Sequence, residues 1–291
     1  MANWRRKQAK KIWQALKLRE NIWLALTIGN SRLHWAWFKG KTFCGAWDTE
    51  YLSAAIVEQM NQPCGRGKFN SEILAASLIQ ELDAVEEIVG DGFHHRDRPL
   101  PLYLASVVPQ QTAIWQNYHD VRTIALDQIP LQGLYPTLGI DRALAVLGAG
   151  EVYGFPALVI DAGTALTFTG ADAARRLVGG AILPGLRLQL QSLAQGTAAL
   201  PEIELAGALP PRWALNTSLA IQSGIIYTVL AGIADFIDAW RQEFPQSRIV
   251  LTGGDRTLLL NYLQAVFPQV AAKINTDPHL IFWGILNTPQ P

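Results

Sequence analysis

Over the first forty residues, apolar side chains come in short dense runs broken by glycine. IWLALTIGN, residues 22–30, is followed at once by RLHWAWF, residues 32–38. Two such runs with Gly-Asn between them predict a β-hairpin. Helical spacing is predicted over about 50–60. It returns over 71–89, where Ile73, Leu74, Leu78, Leu82 and Val85 recur at helical intervals. The turn-rich NQPCGRGKFN (61–70) separates the two, and GDGFHHRDRP (90–99) leads into a strand in LPLYLASVVP (100–109). A short helix, a strand at TIAL (123–126) and the loop DQIPLQGLYP (127–136) follow.

The second half repeats the plan. IDRALAVLGAGEV (140–152) reads as a helix, ALVIDAG (157–163) and ALTFTG (165–170) as strands, and LVGGAILPG (177–185) as a strand entering a turn. A helix over 186–195, a Pro-interrupted loop over 197–213 and a long apolar helix over about 216–242 come next. SRIVLTGG (247–254) is a strand and turn, and a last helix starts near 279. Strand pairs followed by helices, in two sets, predict a two-domain α/β protein. Aligning ALTIGNSRLHWAW (25–37) with VIDAGTALTFTGA (159–171) superposes Gly29 on Gly163, Asn30 on Thr164 and Ser31 on Ala165. Thr27 then stands opposite Asp161. Two strand–turn–strand units of this kind suggest a duplication, with two related domains facing one cleft.

Charge changes the picture only at the N-terminus. The chain has 291 residues and no formal net charge, but residues 1–20 hold seven Lys/Arg and one Glu, a local +6. The rest therefore carries −6. A basic segment with Trp4, Ile12, Trp13 and Leu16 at loosely helical spacing can touch membranes or partners, but the plainer reading is a solvated extension. It lacks the apolar core and cleavage site of a secretory signal. No uncharged apolar run is expected to span a bilayer, and the neutral balance points to no nucleic acid. Cys44 and Cys64 are too few for a disulfide framework or a zinc site, and the adjacent His94 and His95 have no ligand spacing. The expectation is a cytoplasmic protein without structural metal.

Chemistry gathers at the glycine turns. A glycine turn at the end of a buried strand offers backbone N–H groups to phosphate oxygens. Asn30, Ser31 and Thr164 add small donors, and a carboxylate such as Asp161 suits the cation that accompanies phosphates. A strand-end Asp capping its own turn is the alternative for Asp161 taken alone. At GLYPTLGIDRALAVLGA (133–149), Gly139, Asp141 and Arg142 open a helix. The Arg suits a substrate carboxylate and the Asp suits removal of a hydroxyl proton. An Asp favoured there only by the helix macrodipole is equally compatible.

Seven motifs in order carry a resemblance: IGNSR, SVVP, YPTLGIDR, DAGTALT, GGAILPG, TSLAIQSG and LTGG. Together they resemble the type III pantothenate kinases, of the actin-like, hexokinase-like superfamily, from residue 24 to about 286. The resemblance implies two related actin-like (ribonuclease H-like) domains with mixed sheets flanked by helices and a nucleotide cleft between them. The expected layout is a basic extension at 1–20, one domain over 21–137 and another over 138–291, the last helix packing back on the first. It further implies phosphorylation of pantothenate by ATP, the first step of coenzyme A synthesis. Thr27, Ile28, Gly29, Asn30, Ser31, Arg32, Leu33 and His34 would contact ATP phosphates, with Thr164. Asp161 would bind an activating monovalent cation, K+ or NH4+, and Mg2+ would accompany ATP. Asp141 would be the general base. Tyr135, Gly139, Ile140 and Arg142 would surround pantothenate, with Thr217 reaching in from the second subunit of a homodimer.

The first turn departs from the family pattern. Thr27 stands where Asp is usual and His34 replaces a basic side chain; in the second turn, Thr169 replaces a downstream acidic residue. Loss of one supporting carboxylate commonly costs roughly 10–100-fold in metal affinity or activity, so a slower enzyme is expected. The missing carboxylate and the basic leader leave a second reading, a non-enzymatic regulator, since relatives are described as accessory transcription factors. A kinase for another small hydroxy acid is a third.

Overall fold

β1 (Ile22–Ile28) is buried along its whole length, and its place in the sheet explains why. In the computed structural model, which describes residues 22–61, 63–64, 68–69 and 100–289, β1 pairs antiparallel with β2 (Leu33–Lys39). On its other side it pairs parallel with β6 (Leu102–Ser106). A strand with neighbours on both edges and packing on both faces reads as a continuous apolar run. β3 (Thr42–Thr49) extends the sheet beyond β2, and β7 (Val121–Thr123) extends it beyond β6, in the order β3-β2-β1-β6-β7. Stacked indoles fill one side: Trp35 lies 5.7 Å from Trp47 and 5.1 Å, edge on, from Trp115. Helices α1 (Ala54–Asn61) and α2 (Pro109–Trp115) contribute Val57, Met60 and Trp115 to this core. A two-residue strand pair, β4 (Pro63–Cys64) and β5 (Lys68–Phe69), stands apart.

The second sheet repeats the first in order and direction. β8 (Ala157–Ala162) pairs antiparallel with β9 (Ala165–Ala171), which pairs antiparallel with β10 (Leu177–Pro184). On its other side β8 runs parallel to β11 (Arg248–Thr252), which runs parallel to β12 (Ile274–Thr276). The order is β10-β9-β8-β11-β12. Helix α3 (Ile140–Tyr153) precedes β8, and α4 (Leu186–Gly196) follows β10. Helix α5 (Thr217–Glu243) lays Ile226, Val229, Leu230, Ile233 and Ile237 into the second core. Helices α6 (Arg256–Val266) and α7 (Pro268–Ala271) complete it, and α8 (Leu280–Leu286) follows β12. The chain divides into two compact units: residues up to Gln128 with Gly139–Asp141, and Ile129–Leu138 with Arg142 onward. The duplication is therefore a duplication of whole sheets, and the fold is α/β with two mixed sheets of one topology.

Several expectations shift. The helix expected over 50–60 begins at Ala54, and the strand expected at TIAL ends at Thr123, with a single 3-10 turn at Leu126–Gln128. β3, α6, α7 and β12 had no counterpart in the pattern. The helix over 71–89, the loop 90–99, the pair His94 and His95 and the basic leader lie outside the described residues. The last helix packs on α3 within the second unit: Gly284 meets the backbone of Leu144, and Gly148 meets the backbone of Leu280. α5 also differs from the expectation that nothing is long and apolar enough to cross a bilayer, because it holds an 18-residue window of mean hydropathy 1.6. Its charges all lie beyond Ala234. Half of that window is buried in the unit, and its polar side chains bind the preceding loop. Ser223 Oγ donates to the Arg212 carbonyl at 2.7 Å, and Tyr227 donates to the Pro210 carbonyl at 3.0 Å.

The α3–α8 crossing has no room for a side chain at Gly284. Gly284→Ala is expected to cost about 1–3 kcal/mol through overpacking against backbone, read as a lower urea midpoint with an unchanged slope.

Candidate active site

The β1–β2 connection spans residues 29–32, between the last paired rung, Ile28 with Leu33, and the exposed tip at Asn30, Ser31 and Arg32. The Gly29 N–H donates to the Arg32 carbonyl at 3.2 Å, and the Tyr51 hydroxyl donates to the Gly29 carbonyl at 2.6 Å. Val107, from the SVVP segment, donates its N–H to the Ile28 carbonyl at 3.2 Å. The turn is thus held from both flanks. Of the residues expected to face phosphates, Ile28 and Leu33 point their side chains into the core, so only their backbone is available to a ligand. Thr27 is also buried, opposite His34 in the ladder. His34 is half-exposed, and its Nδ1 lies 2.7 Å from Asp48 Oδ1 on β3.

The corresponding turn of the second unit is one residue shorter. Ala162 pairs with Leu166, and the Gly163 N–H donates to the Ala165 carbonyl at 3.0 Å. Without a gap, the repeat alignment is therefore one residue out beyond the turn. Asp161, half-buried, pairs with Thr167 on one side and Thr252 on the other. Two further turns close around it. The Gly185 N–H donates to the Thr164 carbonyl at 2.8 Å, and the Asp255 N–H donates to the Ala162 carbonyl at 2.9 Å. Gly253, at φ +89°, lies so near that a Cβ would sit 2.5 Å from Asp161 Oδ1. Arg187 Nη2 joins Asp255 Oδ1 at 3.1 Å, tying the start of α4 to the turn after β11. Burial pushes the Tyr262 phenol up, as does the nearby Asp255, with Arg187 acting the other way.

Asp141 stands in the first turn of α3, where the macrodipole favours a carboxylate. The next residue, Arg142, is buried. Its Nε donates to Thr169 Oγ1 at 2.9 Å, its Nη2 to the Phe168 carbonyl at 2.9 Å and its Nη1 to the Tyr135 hydroxyl at 3.3 Å. Thr169 therefore works as an acceptor for the guanidinium. Gly180 on the neighbouring strand leaves room for it, since a Cβ there would sit 2.5 Å from Nη2. Tyr135 is exposed, Gly139 and Ile140 are half-buried at the entry to α3, and exposed Thr217 opens α5 beside its cap Asn216, whose side chain accepts from the Leu219 N–H. Tyr51, Asp48, Gly180 and the pair Arg187–Asp255 were not among the expected residues. Gly180 lies within the GGAILPG motif without a role assigned to it, while no local motif marks the others, which arrive through strand pairing or a turn elsewhere in the chain. Among the described residues no group of three or more His, Cys, Asp or Glu is placed to hold a metal ion.

Two five-stranded sheets of one topology, each with a glycine turn at the end of its central strand, define a duplicated α/β architecture of the actin-like type. The family model for type III pantothenate kinase matches residues 23–239. A type III pantothenate kinase of Nostoc sp. is 54% identical over 94% of this chain and 96% of its own. One from Synechocystis sp. is 41% identical over 92% of this chain and 90% of its own. A solved structure of a Baf-family protein from Campylobacter jejuni superposes with a TM-score of 0.55 at 19% identity, covering 90% of this chain and 94% of that one, a likeness of fold alone. The chain belongs to the type III pantothenate kinase family.

Gly253→Ala is expected to displace Asp161 and the Ala162 backbone together. A shift of about 1 Å at a reacting site costs on the order of 100-fold. Steady-state kcat/KM, with circular dichroism to confirm retained structure, checks this.

Proposed function

We propose that this chain transfers the terminal phosphoryl group of ATP to the primary hydroxyl of pantothenate, giving 4′-phosphopantothenate, with Asp141 as the general base. The observation that carries the reading is the Arg142 guanidinium, buried and locked in plane by Thr169, Phe168 and Tyr135, directly after an Asp at a helix start. A locked guanidinium binds a carboxylate as a two-point fork. Pantothenate offers a carboxylate at one end and a hydroxyl at the other. Arg142 anchors the first, Tyr135, Gly139 and Ile140 line the approach, and Asp141 accepts the proton of the second as it attacks.

The turn over residues 29–32 and Thr164 receive the phosphates of ATP through backbone N–H groups and small side chains. Asp161 suits a monovalent cation, K+ or NH4+, because its carboxylate sits in a backbone cradle that any Cβ at Gly253 would fill. Mg2+ arrives with ATP and offsets charge on the transferring phosphoryl group. Positioning rather than covalent chemistry then supplies most of the acceleration.

The working form is a homodimer in the cytoplasm. At the start of α5, Trp213 is 89% exposed and Leu215 fully so, beside a groove of about 700 Å³ lined by Leu193, Leu200, Thr217 and Ile221. Apolar surface of this kind is covered by a partner, and a second copy would bring its Thr217 to the pantothenate site.

ADP release coupled to pantothenate, with Mg-ATP and K+, is the direct test. Asp141→Ala is expected to abolish turnover, lowering kcat by roughly 100-fold or more while ATP binding persists; turnover retained in that variant overturns the assignment of the base. Leu215→Asp is expected to sediment as a monomer, with kcat/KM for pantothenate falling at least about tenfold for want of the contributed contact.

A further inference from the structure

One rung of the first sheet runs from Asp48 on β3 through His34 on β2 to Thr27 on β1. Thr27 is buried and neutral, so the carboxylate facing the imidazole comes from β3. The two side chains meet at 2.7 Å, and both are a little under half exposed, at 42% and 46%. An ionised carboxylate only accepts hydrogen bonds, so Nδ1 of His34 carries a hydrogen toward Asp48. The other nitrogen, Nε2, faces the glycine turn: a Cβ built on Gly29 would stand 3.8 Å from it. On the turn itself, Arg32 is exposed at the tip and the Tyr51 hydroxyl is committed to the Gly29 carbonyl.

We propose that Asp48 and His34 act as a coupled phosphate-positioning pair, with Asp48 orienting the ring so that Nε2 takes up a proton as a nucleotide polyphosphate binds and donates it to a phosphate oxygen. The inference rests on the reading of the 29–32 turn as the ATP phosphate site. His34 touches the ligand; Asp48 acts through it. Placing an anion at Nε2 opposite the carboxylate at Nδ1 favours the doubly protonated ring. The proton comes from buffer, so nucleotide binding consumes one. A lysine at position 34 would bring its proton already in place and would need no carboxylate behind it. Charge-assisted bonds of this kind are about twice as strong as neutral ones, and here that strength is contingent on Asp48.

Calorimetry on the full-length protein with a non-hydrolysable ATP analogue, in two buffers of different ionisation enthalpy at one pH, tests the pair. The wild type is expected to show net proton uptake on binding. Asp48→Asn should weaken the analogue roughly three- to tenfold, the scale of one ordinary hydrogen bond, and reduce the uptake. His34→Lys should bind without uptake, and adding Asp48→Asn to it should cost nothing further. Adenosine, lacking phosphates, should bind every variant alike. Both positions are half-exposed, and thermal melts confirm that the variants fold. The proposal is overturned by absent uptake in the wild type, by wild-type affinity in Asp48→Asn, or by an equal loss from Asp48→Asn in the His34→Lys background. Asn30→Asp, which sets a carboxylate at the tip of the turn where any bound phosphate would meet it, separates the two readings. If it leaves analogue binding unchanged, the turn is not the phosphate site and both fall; if it weakens binding while Asp48→Asn does not, only the pair's role falls.

Discussion

β8 and β11 run parallel while β9 doubles back between β8 and β10, and those directions gather the site. Parallel neighbours end together, so the turn after β11 lies beside the turn after β8. β10, antiparallel to a strand that begins at that turn, must end there too. Three motifs far apart in the chain, DAGT, LPG and LTGG, therefore meet at one sheet edge around Asp161. None of them needs affinity for the others. Strand direction, fixed by the apolar pairing of the core, carries them there. The first sheet obeys the same geometry, bringing the end of β6 and the SVVP segment against the turn after β1.

Close backbone approach follows from that gathering. Where three turns share the space beside one carboxylate, a side chain at any of them would fill what a ligand needs. Gly185 and Gly253 each lie against the backbone of the turn they cover. Arg142 shows the same economy in the interior: its guanidinium fits because Gly180 on β10 has no side chain and because Thr169 and the Phe168 carbonyl on β9 accept its hydrogens. Burying a cation is costly unless its donors are bonded. Those bonds make the Arg a fixed feature of the sheet rather than a mobile surface charge.

Much of this was legible before any coordinates. The hairpin at 22–38, the strands around Asp161, α3 and α5 all announce themselves through dense apolar runs or helical periods, and the motif order carried the family. β3 did not, because TFCGAWDT is an edge strand with one buried residue and a glycine where Trp37 packs. Its partner, rather than its own pattern, makes it a strand. α6 hid because Leu258, Leu259 and Leu260 run consecutively and blur the helical period. Asp48 could be tied to His34 only through register, since the two stand fourteen positions apart with a turn between them. The extra residue in the first turn was invisible for the same reason: an ungapped alignment fits the sequence, and only the ladder shows where the pairing resumes.

That extra residue bears on how the two halves divided their work. A shorter turn with Asp161 at its base presents a carboxylate and a tight ring of backbone, the surroundings that a cation requires. A longer turn with neutral Thr27 at its base presents N–H groups and an exposed tip, the surroundings that phosphates require. The two copies of one strand–turn–strand unit thus differ by a single carboxylate in two equivalent positions, Thr27 in one and Asp161 in the other. With that carboxylate absent from β1, the charged groups near the first turn include Arg32 at its tip and the His34–Asp48 pair on the rung behind it. That pair is set by the pairing of β2 with β3, so its geometry depends on the stability of a three-stranded rung.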